Sequence, residues 1–128
     1  MATSERERRE PAVRTIAMPA DTNPSGDIFG GWLLAQMDLA GGTVALLRAR
    51  GRVVTVAIER MTFHRPVYVG DLVSCYADIT KTGRTSLTVQ IETFVTRHET
   101  GEQLKVTEGV FTYVHVDGTG HPQPLPAA

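Results

Sequence analysis

The sequence predicts an α+β domain in which one long central helix is wrapped by a curved antiparallel β-sheet. Residues 30–50 are helical in pattern and apolar nearly all round. Four long stretches rich in Val, Thr, Ile, Phe and Tyr follow, separated by short turns, and one short strand candidate precedes the helix. A helix without a polar face is expected to be buried on most sides. The strands are the only part of the chain able to cover it.

The elements follow in order. Residues 13–18 form the first strand candidate. Residues 19–31, rich in Pro, Gly, Asn and Asp, mark a loop. The helix over residues 30–50 would be about 30 Å long at 1.5 Å per residue. Residues 52–64 carry Val54, Val56 and Ile58 at a period of two, which assigns them to one face of a strand. After a turn at residues 65–71, a third strand spans residues 72–82, and Gly83-Arg84 is a hairpin tip. Residues 85–97 place Leu87, Val89, Ile91 and Val95 on one face, with Thr93 interrupting. A turn at 98–102 leads into the last strand, residues 104–117. Short turns imply antiparallel neighbours. This order of elements in a chain of this size is the hotdog architecture. The domain is bounded at residues 12–117, between a mobile charged arm (1–11) and an irregular tail (118–128) holding Pro122, Pro124 and Pro126.

Composition narrows the function classes. The chain has 128 residues, one domain by size and enough for one core. A net charge of −1 argues against a broad nucleic-acid footprint, although Arg48, Arg50 and Arg52 make one basic spot. Cys75 is the only cysteine, so no internal disulfide forms and a reducing compartment fits. The start of the chain is a run of charges rather than the apolar stretch of a signal peptide. No segment approaches the roughly 20 apolar residues of a membrane span. The expectation is a cytoplasmic protein without membrane insertion.

Two features point to chemistry. Asp38 sits in the most apolar stretch of the chain, where an ionised carboxylate is costly unless paired or used. A solvent-facing polar stripe with Gln36 and Thr43 is the alternative. Against it, Gly41 and Gly42 lie on the same helix face three and four positions on. Each costs the helix about 1 kcal/mol relative to alanine, which suggests close approach of a ligand or a partner chain. The second feature is the loop Asn23-Pro24-Ser25-Gly26-Asp27-Ile28-Phe29-Gly30-Gly31, which runs straight into the helix start. Free N–H groups and the positive end of the helix dipole gather there. A glycine pair at that point lets a polarised carbonyl approach the backbone, or else it merely shapes a turn. His98, His115 and His121 show no metal-ligand spacing with one another or with Cys75, and His64, at a strand end beside Arg65, reads as a structural or exposed histidine rather than a catalytic one. The glycines match neither a phosphate loop nor a dinucleotide fingerprint.

The segment from Asn23 through Trp32, with Gln36-Met37-Asp38 and Ala40-Gly41, resembles the signature of YciA-type acyl-CoA thioesterases, hotdog enzymes related to the brain-type acyl-CoA hydrolases. Gly51 to Val56, Met61-Thr62-Phe63, Arg65-Pro66-Val67, Val69-Gly70-Asp71 and Gly83-Arg84-Thr85-Ser86 are similar too, so the resemblance spans about residues 13–116. It implies hydrolysis of acyl-CoA to free CoA and a carboxylic acid. It implies no cofactor beyond the coenzyme A of the substrate, and assembly as a dimer and then a trimer of dimers. It also implies that Asn23 of one protomer faces Asp38 of the other, with the Gly31 N–H as oxyanion donor. Asp38 would act as general base or as nucleophile; Asn23 would orient the water or the carbonyl. Gly30 would flank the carbonyl, Thr55 would border the pantetheine arm, and Gly83, Arg84, Thr85 and Ser86 would meet pantetheine or phosphate; for Arg84, a charged residue solvating the hairpin tip is the alternative. Some related hotdog enzymes place a histidine before the glycine pair, where this chain has Phe29. A hotdog dehydratase is disfavoured, since no histidine occurs between Met18 and Arg50. A non-catalytic acyl-CoA-binding sensor is the alternative of another class.

Overall fold

The computed structural model describes residues 9–128. β1 (Val13–Ile16) leads through a single 3-10 turn (Pro19–Asp21) to α1 (Gly30–Ala49). β2 (Val53–Phe63), β3 (Leu72–Thr82), β4 (Ser86–Thr96) and β5 (Gln103–His115) complete the chain. The strands form one sheet in the order β1-β3-β4-β5-β2, every neighbouring pair antiparallel. This is the hotdog arrangement expected from the order of elements.

The core lies between the sheet and one stripe of α1. Leu33, Met37, Ala40, Gly41, Ala45 and Ala49 are the buried residues of the helix. They meet Val73, Cys75, Leu87, Val89, Ile91, Val106, Phe111 and Tyr113 from the strands. Each fully buried Leu, Val, Ile or Phe contributes about 1.5–3 kcal/mol relative to exposure. Gly41 marks the closest approach: a Cβ there would collide with the Tyr113 hydroxyl and with Ile91 Cδ1. Its smallness serves the chain's own packing rather than a ligand, which corrects the expectation for this glycine. Gly42, beside it, meets nothing closer than Tyr113 Cε1 at 3.8 Å.

Three further expectations are corrected. The helix is not buried on most sides. Leu39 and Leu47 are 59% and 68% exposed, and Leu46 is exposed with them, because the sheet covers only one face. β2 and β3 are not neighbours: residues 64–71 carry the chain across the sheet, held by His64 N–H to the Val106 carbonyl and by the Asp71–Arg97 ion pair. Val54 and Ile58 do not share a face of β2. An irregularity between Thr55 and Ala57 sets Val54 opposite Val114 but Ile58 opposite Phe111, so the alternation changes phase.

Of the charged arm, residues 1–8 lie outside the described residues. Arg9 pairs with Asp78 and stands over the Tyr76 ring. At the other end, Leu125 packs on the core. Its N–H bonds the Arg84 carbonyl at 2.8 Å, and Arg48 reaches the Pro126 carbonyl at 2.8 Å. No described helix is long and apolar enough to cross a membrane.

Candidate active site

Asp38 lies midway along α1 at the edge of the buried stripe, where the helix passes over the seam between β5 and β2. One row across the sheet aligns Leu87, Tyr113 and Thr55. Both hydroxyls of that row turn to the carboxylate. Thr55 Oγ1 donates to Asp38 Oδ1 at 2.7 Å, and the Tyr113 hydroxyl lies 2.9 Å from the same oxygen. The Tyr113 hydroxyl is also 3.1 Å from the backbone carbonyl of Asp38. Asp38 is therefore neither a member of a bare solvent stripe nor a sealed core charge. It is half-buried, and it borders a cleft of about 320 Å³ with Leu39, Gly42, Thr43, Leu46, Val53, Thr55 and Tyr113. Hydrogen bonds from two hydroxyls offset the cost of keeping an ionised carboxylate there.

Gly31 stands seven residues before Asp38, so both lie on one side of the helix about 10 Å apart along its axis. The helix start is open. Phe29 caps it without a side-chain hydrogen bond, the Trp32 and Leu33 N–H groups both turn to the Phe29 carbonyl, and no described partner takes the N–H of Gly30 or Gly31. A Cβ on Gly31 would meet nothing within 4 Å, and one on Gly30 would make only ordinary contact with the Phe63 ring at 3.6 Å. The chain's own packing thus does not require glycine at either position. A second cleft of about 320 Å³ begins there, between Gly30, Leu33, Phe63 and residues 64–67.

Asn23 shapes the loop in front of the helix. Its Oδ1 accepts from the N–H of Ser25 at 2.9 Å and of Asp27 at 3.1 Å, and its own N–H bonds the Asp27 carbonyl at 2.7 Å. With the oxygen engaged, the amide Nδ2 is the end left to meet another group. No hydrogen bond joins Asn23 to Asp38 within the described chain.

The hairpin at 83–86 stands apart from the carboxylate. The Gly83 N–H bonds the Ser86 carbonyl at 2.8 Å, and the Thr85 carbonyl accepts from His115 N–H at 2.8 Å. Arg84 is exposed and precedes Leu87 of the Asp38 row by three residues, about 10 Å along the strand. The structure thus joins Asp38 to Thr55 and sets Gly30, Gly31 and Asn23 at one helix end. The hairpin lies beyond the row, toward the start of β2.

Tyr113 is the residue that sequence reasoning missed. Its signal was present in the alternation of Phe111, Tyr113 and His115 along β5. A phenol on the buried face of a strand needs a hydrogen-bond partner, and an acid on a helix packed against that face is one. Burial pushes its pKa well up, and hydrogen bonding to Asp38 adds to the effect. Cys75 is inert by contrast: burial raises its thiol to about 11 despite the Thr93 hydroxyl donating to it. Among the described residues no group of three or more His, Cys, Asp or Glu side chains gathers as a metal site.

Residues 25–102 match the family model described as the thioesterase superfamily. The acyl-CoA thioester hydrolase YciA of Salmonella typhimurium is 54% identical over 120 residues, 91% of this chain and 90% of that protein. Its namesake from Escherichia coli K12 is 53% identical over 117 residues, 89% of each. Among solved structures, HI0827, a hexameric broad-specificity acyl-coenzyme A thioesterase, superposes with a TM-score of 0.89 at 44% identity, covering 98% of this chain and 89% of its own. The hexameric thioesterase y2039 from Yersinia pestis gives 0.88 at 53% identity, covering 92% and 97%.

Proposed function

We infer the function from the premise that this chain belongs to the thioesterase superfamily. It is an acyl-CoA thioester hydrolase, releasing free CoA and a carboxylic acid. What supports a site at Asp38 is a single observation: a carboxylate on the interior helix, hydrogen-bonded through one oxygen and bordering an open cleft beside apolar side chains. The thioester carbonyl accepts a hydrogen bond from the Gly31 N–H at the helix start of the protomer that faces Asp38 across the dimer, where the dipole favours developing negative charge. Asp38 then acts in one of two ways. As a base it removes a proton from water, whose oxygen adds to the carbonyl carbon. As a nucleophile it adds directly and forms a mixed anhydride that water cleaves. In both, the C–S bond breaks and the CoA sulfur leaves with its electron pair and takes up a proton. Arg84, with Gly83, Thr85 and Ser86, receives the phosphate or pantetheine end of the substrate.

The site is completed by a second copy. β2 ends the sheet and is paired on one edge only, and none of its eleven residues is buried. Leu39 and Leu46 are exposed beside the Asp38 cleft. Joined along β2, two protomers bring Asn23 of one toward Asp38 of the other, so that the free Nδ2 orients the water or the carbonyl. Three such dimers make the hexamer, the assembly in which the solved relatives occur. The single buried thiol fits the cytoplasm.

The test is release of CoA thiol from short- to long-chain acyl-CoAs by the wild type and by Asp38→Ala. The wild type turns over, and the variant loses at least about a hundredfold, some 2.7 kcal/mol. An Asp38→Ala enzyme of near-normal activity would remove Asp38 from the mechanism.

A further inference from the structure

The two hydroxyls that reach Asp38 address the same oxygen. Thr55 Oγ1 and the Tyr113 hydroxyl both hydrogen-bond Oδ1, and no described donor reaches Oδ2. We propose that Tyr113 is a positioning residue for the hydrolysis: with Thr55 it commits Oδ1 of Asp38 to fixed hydrogen bonds, and so leaves Oδ2 as the one oxygen that faces the reacting atoms. The inference rests on the reading of Asp38 given above and assigns its two oxygens separate duties.

Several independent features build this contact. Tyr113 is 1% exposed, so its ring has one orientation rather than many. Phe111 stacks on it, centroids 6.4 Å apart and planes within 15°. The hydroxyl reaches the helix only because position 41 has no side chain, since a Cβ there would occupy its place. The phenol also stands within hydrogen-bond distance of Asp38's own carbonyl, which ties it to the backbone as well as to the side chain of that residue. Because burial and the neighbouring carboxylate hold the phenol protonated, it remains a donor wherever the enzyme works. Among the described residues no ionisable side chain besides Asp38 and Tyr113 lines the cleft.

The arrangement makes chemical sense. A carboxylate free to rotate presents either oxygen in many directions, and fixing it before the reaction removes that cost from the barrier. Two donors on Oδ1 hold the plane of the carboxylate in one orientation. The remaining oxygen is then the one whose lone pairs stay free for the reacting atoms, as either base or nucleophile catalysis requires.

Tyr113→Phe in the full-length assembled enzyme keeps the ring and removes only the hydroxyl. The expected result is a fall in kcat of about ten- to a hundredfold with KM little changed, the effect of losing one hydrogen bond to a charged group. Activity is referred to folded hexamer, established by sedimentation and melting. A kcat within twofold of wild type, or a loss carried by KM rather than kcat, would overturn the inference. Asp38→Ala run alongside separates the two ideas. If that variant is inactive while Tyr113→Phe is normal, Tyr113 has no positioning role; if it is active, the reading of Asp38 itself fails.

Discussion

β4 and β2 are each eleven residues long and flank β5 on opposite sides, yet they are different kinds of strand. β4 alternates without a break, with Leu87, Val89, Ile91, Thr93 and Val95 all buried under the helix. β2 has no buried residue. Its register with β5 shifts twice, and Arg60 stands at φ +54°, a conformation uncommon for a side-chain-bearing residue. Val56 is 56% exposed, with Phe63 exposed near its end. β4 is finished within the chain: both edges are paired and one face is covered. β2 has one paired edge, and its outward apolar residues match the uncovered leucines of the helix. Burial is concentrated in β3, β4 and β5. The groups proposed for chemistry stand on the side toward β2, the edge strand of the described sheet.

The largest effect should come from the finished side. Ile91→Ala removes a fully buried side chain packed beside Gly41. It should cost about 2–5 kcal/mol of unfolding free energy, measured by denaturant titration. The matched change Ile58→Ala in β2 should cost far less, since Ile58 is already exposed. Equal losses at both positions would break the contrast between the strands.

Assembly sharpens it from the other side. Val56→Lys puts a charge on the unfinished strand and should shift the protein to smaller species in sedimentation, with activity falling in step. The stability of the folded chain should change by no more than about 0.5 kcal/mol, as for most surface substitutions. A fully active monomer would show that each chain holds a complete site.

The contrast also explains what was legible in the sequence. α1 and β3 fall almost where periodicity puts them, and β4 could be read as a face because both of its partners are local hairpin neighbours. For β2 the same alternation misled, because the irregularity after Thr55 changes the phase and no local signal marks it. The apolar circumference of α1 was legible too, but a pattern of leucines does not say whether the chain or a second copy covers them. Asp38 stood out as a charge in an apolar run. Its link to Tyr113 spans 75 residues of sequence and depends on how the helix sits on the sheet. The sequence held the need for a partner on each side, not the fact that they meet.

The smallest effect concerns the face of the sheet away from the helix. Glu92 and Glu108 stand directly opposite each other on β4 and β5, an unfavourable pair of like charges. Lys105 bridges them, at 2.8 Å from Glu92 and 3.0 Å from Glu108, while His64 lies 2.8 Å from Glu108. Hydrogen bonding to Glu92 raises the Lys105 pKa above its usual 10.5, and hydrogen bonding from His64 and then Lys105 lowers that of Glu108 below its usual 4.5. A raised lysine contributes stability that is complete below 10.5 and is lost as pH climbs through its folded value. A lowered carboxylate contributes above 4.5 and loses its share as pH falls through its folded value. Between those limits the contribution is flat. These side chains are about one-third exposed, so solvent and salt screen them. Lys105→Met should therefore cost no more than about 1 kcal/mol at neutral pH. The cost should shrink in high salt and again at pH 3, as Glu108 takes up a proton on the way down through its folded value and needs the lysine less. A loss at pH 7 that persists undiminished at pH 3 and in high salt would mean that the lysine stem, packed along the sheet, matters more than its charge.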